Sequence, residues 1–436
     1  MRTFDVVVIG AGPGGEVAAG RLAQAGLDVA IVEADKVGGE CSFYACIPSK
    51  ALLRPAEVLA EARRTPGVTL DGQLDVAAVL RRRDELIGHL DDAGQLPWLA
   101  ERGITLIRGW GRLAGERRVA VGDEIIEARR AVILAGGTRA ALPPVAGLAE
   151  VRPWTNREAT TAQRIPESLI VIGAGVVGVE MSQAYRSLGA RVTLIGHLLP
   201  REEDFVAEQV GASLTAQGVD LRAGRAVEAR RAGGRVTVTL DDGSTVSAEE
   251  VLVAAGRAPQ DGTFIEVDER MRVPGRDWLY VVGDLNGRAL FTHMAKYQAA
   301  LAAGDILGGL KPLGHLADGA GSPRVIFTDP QVAAVGHTSA SAAAASLTVR
   351  VIDVPTDGNA GGAFTGGAAG TARFLVDTDR DVLVGVTITG SSVADFLQAA
   401  TIAIVGEVPI RRLRHAIPAF PTRSEIWLHF FDALGV

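Results

Sequence analysis

Short β-branched runs alternate with stretches of helical periodicity along most of the chain. An apolar run at residues 4–9 reads as a buried strand, a glycine-rich turn follows, and the stretch to about residue 25 reads as a helix. A second strand is expected at 29–32. The same order returns at 169–172 (strand), 173–178 (turn), 180–188 (helix) and 192–195 (strand), which marks an internal duplicate. Strand–helix–strand alternation predicts parallel sheets, and therefore an α/β fold. The Gly/Ala-rich stretch 357–370 predicts a mobile loop without a catalytic role.

The two turns carry the first chemistry. Gly10, Gly12 and Gly15, with Gly14 between them, form GxGxxG between a strand and a helix. Glycine permits the tight turn and the close backbone approach, and the helix N-terminus receives a pyrophosphate. Glu33 closes the second strand, where a carboxylate holds the hydroxyls of an adenosine ribose. The duplicate has Gly173, Gly175 and Gly178, but at the offset of Glu33 it has Gly196, followed by His197 and Arg201. No acid repels a 2'-phosphate there and two bases are at hand to pair with one, which favours NADPH while leaving NADH open. Two dinucleotide folds imply two dinucleotides, with electrons passing between them.

Composition narrows the class. The 436 residues, 47% hydrophobic and 22% charged, suit a globular protein of two to four domains. A net charge of -7 without basic blocks offers no nucleic-acid footprint. No apolar run approaches the ~20 residues of a membrane span, and the Val6–Ile9 run is too short for a signal peptide. The chain has two cysteines, Cys41 and Cys46, with four residues between them. A lone pair of this kind fits a redox role in a reducing compartment, so the expected location is the cytoplasm. A loop this short brings two sulfurs within bonding reach. Residues 49–53 read as a helix start with Pro48 in its first turn, and the dipole there favours a thiolate. Two buried, inert cysteines are the competing reading.

The run Gly38-Gly39-Glu40-Cys41-Ser42-Phe43-Tyr44-Ala45-Cys46-Ile47-Pro48-Ser49-Lys50 resembles the redox-active disulfide of the FAD-dependent pyridine nucleotide–disulfide oxidoreductases, the family of lipoamide dehydrogenase, glutathione reductase and mercuric reductase. The resemblance extends through Gly109-Trp110-Gly111, the 132–137 strand and turn, Ala254-Ala255-Gly256-Arg257, Val281-Val282-Gly283-Asp284 and Thr292-His293-Met294-Ala295. It implies two Rossmann-like domains and an α+β C-terminal dimerisation domain. FAD would be held by 1–150 and 265–318, NAD(P)H by 151–264, and the homodimer would form through 319–436. It further implies FAD contacts from Gly10, Gly12, Gly14, Gly15, Glu33, Gly39, Glu40, Lys50, Gly111, Gly137, Gly283, Asp284, Met294 and Ala295. NAD(P)H contacts would come from Gly173, Gly175, Val177, Gly178, Glu180, Gly196, His197, Arg201 and Gly256. Cys46 would be the thiol nearer the flavin and Cys41 the interchange thiol, with Lys50 paired to Glu180. No metal is implied.

One catalytic position departs from the family. Where the family has His-Pro-Thr-x-x-Glu, this chain reads Phe420-Pro421-Thr422-Arg423-Ser424-Glu425. A benzyl ring neither accepts nor donates a proton, and losing an acid–base group typically costs about 10^2 to 10^4 in rate. The expected acceptor is therefore a small or unusual molecule, such as a small disulfide, persulfide, quinone or thioether. Three alternatives stand beside it. One is an orthodox disulfide reductase using His415 or Glu425 as substitute base. Another is an enzyme like the ketopropyl-coenzyme M oxidoreductase/carboxylase branch, which carries phenylalanine at this place. The third is a redox sensor that binds FAD and NAD(P)H without turnover.

Overall fold

The computed structural model describes residues 2–70, 72–309, 317–319 and 321–436; Lys311 and the stretch 310–316 of the expected FAD portion lie outside the described residues. The chain forms two compact units: Met1–Pro48, Arg82–Ala140 and Arg257–Gly319, and Ser49–Arg81, Ala141–Gly256 and Ala320–Val436.

The first unit is built on a twisted sheet. Its strands run in the order Thr105–Arg108, Val29–Glu33, Arg2–Ile9, Glu124–Leu134, Arg276–Val281, Arg272–Val273. All the pairings among the first five are parallel, with Val8 opposite both Ile31 and Ile133. Parallel strands are covered on both faces, which is why Val6, Val7 and Val8 form an unbroken apolar run and are all fully buried. The helix Pro13–Gln24 packs against the helix Thr292–Ile306 over this sheet. At the contact between them, a Cβ on Gly14 would lie 3.4 Å from that of Ala295, the near edge of ordinary van der Waals contact.

The second unit contains the duplicate. Parallel strands run Asp220–Arg222, Arg191–Ile195, Ser168–Ile172, Glu250–Val253, with the helix Val176–Ser187 packed on them. An antiparallel three-stranded sheet, Ala226–Ala232, Arg235–Leu240 and Thr245–Ala248, adjoins them. The C-terminal part is an antiparallel sheet in the order Arg324–Ile326, Gln331–Gly336, Val382–Gly390, Thr371–Asp377, Val349–Pro355. The helices Val393–Val405 and Ile426–Leu434 cover it. Phe374 anchors that core, its ring 4.4 Å from Phe430 and 5.3 Å from Trp427. The α/β class with an α+β C-terminal part is the one expected from the sequence.

Three local expectations are corrected. The helix expected from 180 begins at Val176, directly on the last glycine turn, and the one expected from 49 begins at Cys46. The stretch 357–370 is not loop throughout, because it holds the helix Ala360–Thr365. Asn359 caps that helix through Oδ1, which accepts the Gly362 N–H at 2.7 Å. A Cβ on Gly361 would collide with the Thr422 backbone, so this glycine serves close packing.

Candidate redox and dinucleotide site

In the first unit the chain turns at Gly10, whose φ of +102° an L side chain rarely adopts. A Cβ on Gly15 would collide with the Gly10 carbonyl, so the helix can start this close to the strand only with glycine. The helix has Gly12 as its N-cap, with no side chain taking its first amides. Those amides are the expected seat of a pyrophosphate. Glu33 Oε2 accepts the Ala11 N–H at 2.6 Å and Oε1 the Asp35 N–H at 2.7 Å, which fixes the carboxylate beside the turn. Gly109 N–H donates to the Glu33 carbonyl at 2.9 Å, placing the Gly109-Trp110-Gly111 segment beside that same residue. These features fit a dinucleotide, because the glycines form a cradle that any side chain would fill.

The thiol segment is tied to this turn. Gly38 N–H donates to the Ala11 carbonyl at 2.7 Å, and a Cβ on Gly39 would lie 2.7 Å from Gly12 Cα. The short helix Gly39–Phe43 then carries Cys41, and Cys46 opens the helix Cys46–Arg64. Both cysteines are half-buried and carry no disulfide bond. They are hydrogen-bonded to each other, and Cys46 Sγ lies 3.4 Å from Thr292 Oγ1 at the start of the helix Thr292–Ile306. The hydrogen bond with Cys46 and burial push the Cys41 thiol up, while the Thr292 hydroxyl and the Lys296 ammonium pull it down. Met294 is buried in this same first helical turn, beside Ala295.

Asp284 is the centre of a second polar group. Thr138 donates to its Oδ2 at 2.6 Å, and Arg257 Nε donates to Thr138 Oγ1 at 2.8 Å. Arg257 also stands 3.5 Å from Glu40 and 3.7 Å from Asp284. Gly283, at φ +74°, presents its N–H to Gln298 Oε1 at 2.8 Å. Gln298 is fully buried and also holds the Asn286 amide at 2.8 Å. Gly137, also at positive φ, leads directly into Thr138. Thr138, Gln298, Thr292 and Arg257 were not among the sequence-predicted site residues, although Arg257 and Thr292 lie within motifs that were quoted and Thr138 directly follows one.

The second unit repeats the cradle. Gly173 sits at φ +107°, a Cβ on Gly178 would collide with its carbonyl, and the space beside Gly175 is open. Val177 is exposed next to it. Where the first copy has Glu33 facing Ala11, the second has Gly196, whose Cβ would lie 3.1 Å from the Ala174 amide. A cavity of about 260 Å³ opens there, lined by Ala174, Leu194, Gly196, His197, Leu198, Leu221, Arg222 and Ala223. His197 lines this cavity, while Arg201 is exposed and absent from that lining. Arg222, on the neighbouring strand, lines it instead, and no sequence motif singled it out. Gly256 accepts the Ala141 N–H at 3.0 Å.

Glu180 is almost fully buried and bridges two partners. Its Oε2 takes Lys50 Nζ at 2.7 Å, and its Oε1 accepts the Phe327 N–H at 2.9 Å. Lys50 Nζ also stands 4.8 Å from the centroid of the Phe327 ring. Near the C-terminus Phe420 is 77% exposed and His415 is exposed. Glu425 accepts the Gly361 N–H at 3.1 Å, in the first turn of the Ala360–Thr365 helix.

Comparison with known proteins agrees with this geometry. A family model described as pyridine nucleotide-disulphide oxidoreductase matches residues 4–304, and its dimerisation domain matches 322–430. The chain is 33% identical to dihydrolipoyl dehydrogenase 3 of Pseudomonas aeruginosa, covering 98% of this chain and 96% of that one. It is 32% identical to a dihydrolipoyl dehydrogenase of Haloferax volcanii, covering 97% and 94%. Among solved structures, LpdA from Mycobacterium tuberculosis is similar at 25% identity and a TM-score of 0.85 over the full length of both chains. The HOCl-induced flavoprotein disulfide reductase RclA from Escherichia coli shares the fold at 22% identity and a TM-score of 0.86, covering 98% of this chain and 99% of that one.

Proposed function

The chain belongs to the pyridine nucleotide-disulphide oxidoreductase family, with FAD and NAD(P)H as its cofactors, and on that premise we propose that it reduces a small or unusual acceptor through Cys41 and Cys46. The observation that carries the reading is the hydrogen-bonded dithiol set against the start of the Thr292–Ile306 helix. Gly10, Gly12, Gly15 and Glu33 would hold FAD, which when bound would supply hydride acceptance from NAD(P)H and two-electron transfer to the cysteine pair.

The chain's own residues then do the following. The helix N-terminus at Thr292 and its hydroxyl stabilise negative charge on the sulfurs. Cys41, the interchange thiol, attacks an acceptor disulfide as its thiolate, forming a mixed disulfide and releasing one thiol. Cys46 attacks the Cys41 sulfur, which closes the intramolecular disulfide and releases the second thiol. The two protons come from the two cysteine thiols, so the step balances without an outside reagent. Lys50 and Glu180 act as a fixed charge pair toward the flavin. Phe420 offers no proton relay, which supports an acceptor whose leaving group needs none and disfavours lipoamide and glutathione disulfide.

NADPH is the favoured donor, supported by the cavity at Gly196, His197 and Arg222, where no carboxylate takes the place of Glu33. Residues 1–150 with 265–318 would form the FAD domain, 151–264 the NAD(P)H domain and 319–436 the surface of a homodimer. We place the protein in the cytoplasm; among the described residues no helix is long and apolar enough to cross a membrane.

Anaerobic titration with NADPH, and separately NADH, tests the reading. Two newly alkylatable thiols per equivalent of nucleotide, with a long-wavelength absorption band, are expected. Bleaching of the flavin without new thiols would overturn it.

A further inference from the structure

The segment that follows Gly196 is tied down at its middle and at its far end. Gly196, His197 and Leu198 line the cavity, and two residues on the Leu199 N–H donates to the Ala174 carbonyl at 2.9 Å, inside the second glycine turn. Leu199 is 3% exposed and sits at φ +44°, where a non-glycine residue stays only when its surroundings fix it. Glu202 then takes the fork of Arg324 from the strand Arg324–Ile326, with Nε 2.8 Å from Oε1 and Nη2 2.9 Å from Oε2. Glu203 accepts Arg373 Nη1 at 3.0 Å from the strand Thr371–Asp377, and its other oxygen accepts the Ser339 N–H at 2.7 Å. Both carboxylates are buried, their side chains 6% and 5% exposed. Asp353 holds the rest of the Arg373 guanidinium at 2.8 and 2.7 Å. None of these charged groups lines the cavity.

We propose that Arg324 and Arg373 are positioning residues for the nucleotide donor: through Glu202 and Glu203 they fix the 196–203 segment, and with it the His197 wall of the cavity, from the C-terminal sheet. The inference rests on the reading of that cavity as part of the NAD(P)H site. Gly196 sits at φ +136° and is conformationally free, so the course of the chain beyond it has to be set by later contacts. The ion pairs serve geometry more than net stability. Burying two charges costs about as much as their attraction returns, whereas a bidentate fork permits one relative placement of strand and segment. A displaced segment loses contacts to the bound nucleotide. Cys41 and Cys46 belong to the first unit, so these pairs act on donor binding and leave the later steps alone.

The experiment measures NADP+, and separately NAD+, binding to the oxidised holoenzyme by calorimetry, beside KM and kcat with ferricyanide as acceptor. Removing one partner would strand a buried charge, so the pair is removed whole, as Glu202→Met with Arg324→Met. The nucleotide Kd and KM should rise about tenfold while kcat stays unchanged. Arg324→Lys keeps the charge and loses the fork, so its Kd should lie between; it also decides the matter if the paired variant does not fold. Arg350→Met frees the same sheet from the Ala433 and Leu434 carbonyls without touching the 196–203 segment, and it should leave Kd unchanged. An unchanged Kd in the paired variant, an equal rise in Arg350→Met, or a fall in kcat without a rise in KM would sink the proposal. His197→Ala, in the cavity wall itself, is measured alongside. If it also leaves Kd unchanged, the nucleotide reading of the cavity fails; if it alone raises Kd, only the positioning role fails.

Discussion

Lys50 Nζ lies 2.7 Å from Glu180 Oε2, and the other oxygen of that carboxylate accepts the Phe327 N–H at 2.9 Å. Glu180 is 3% exposed, so it depends on these partners for the solvation it has lost. Lys50→Met should destabilise the protein by about 1–3 kcal/mol in urea denaturation, since it leaves a buried carboxylate half-satisfied. It should also slow NAD(P)H-driven flavin reduction in stopped flow. Unaltered reduction would make the pair structural only.

Glu16 gives the fold a pH dependence of definite sign. Burial pushes its carboxyl up to about 7, with Glu33 adding to the rise and Lys296 opposing it. Unfolded, it ionises near 4.5, so between these values the folded state holds the extra proton. Stability from this group is complete below about 4.5 and is lost as the pH rises through about 7. The loss is on the order of 3 kcal/mol. Chemical denaturation of Glu16→Gln should show a flatter dependence than the unmodified protein between these limits.

Phe420→His restores the acid–base group that the family carries. Turnover with a small disulfide should rise by about 10^2. Absence of any gain in steady-state assays would mean that the surrounding site is not shaped for that chemistry.

Arg222 lines the cavity beside Gly196 and His197. If it meets a 2'-phosphate, Arg222→Ser should raise the KM for NADPH by about tenfold and leave that for NADH nearly unchanged. Equal effects on both nucleotides would argue for a purely structural arginine.

Gln298 is fully buried and holds the Gly283 N–H and the Asn286 amide together. Gln298→Leu strands both donors, so a loss of about 1–3 kcal/mol is expected, and FAD should dissociate faster in dilution experiments.

Local pattern alone made much of this legible. The glycine turns at 10–15 and 173–178 were readable because a backbone that must bend tightly and admit a ligand tolerates no side chain, and that requirement is written residue by residue. The cysteine spacing and the phenylalanine at 420 were likewise visible in the chain, while the pairing of Lys50 with Glu180 followed only from the family resemblance. Tertiary structure decided what depends on neighbours distant in sequence. Arg222 reaches the cavity beside Gly196 only because its strand lies beside Arg191–Ile195, and Gln298 matters only because its helix packs under Gly283. Thr292 acquires a role from touching a sulfur 246 positions away. Burial and charge are sums over such neighbours, so the raised carboxyl of Glu16 and the opposing pulls on Cys41 had no signature in the sequence.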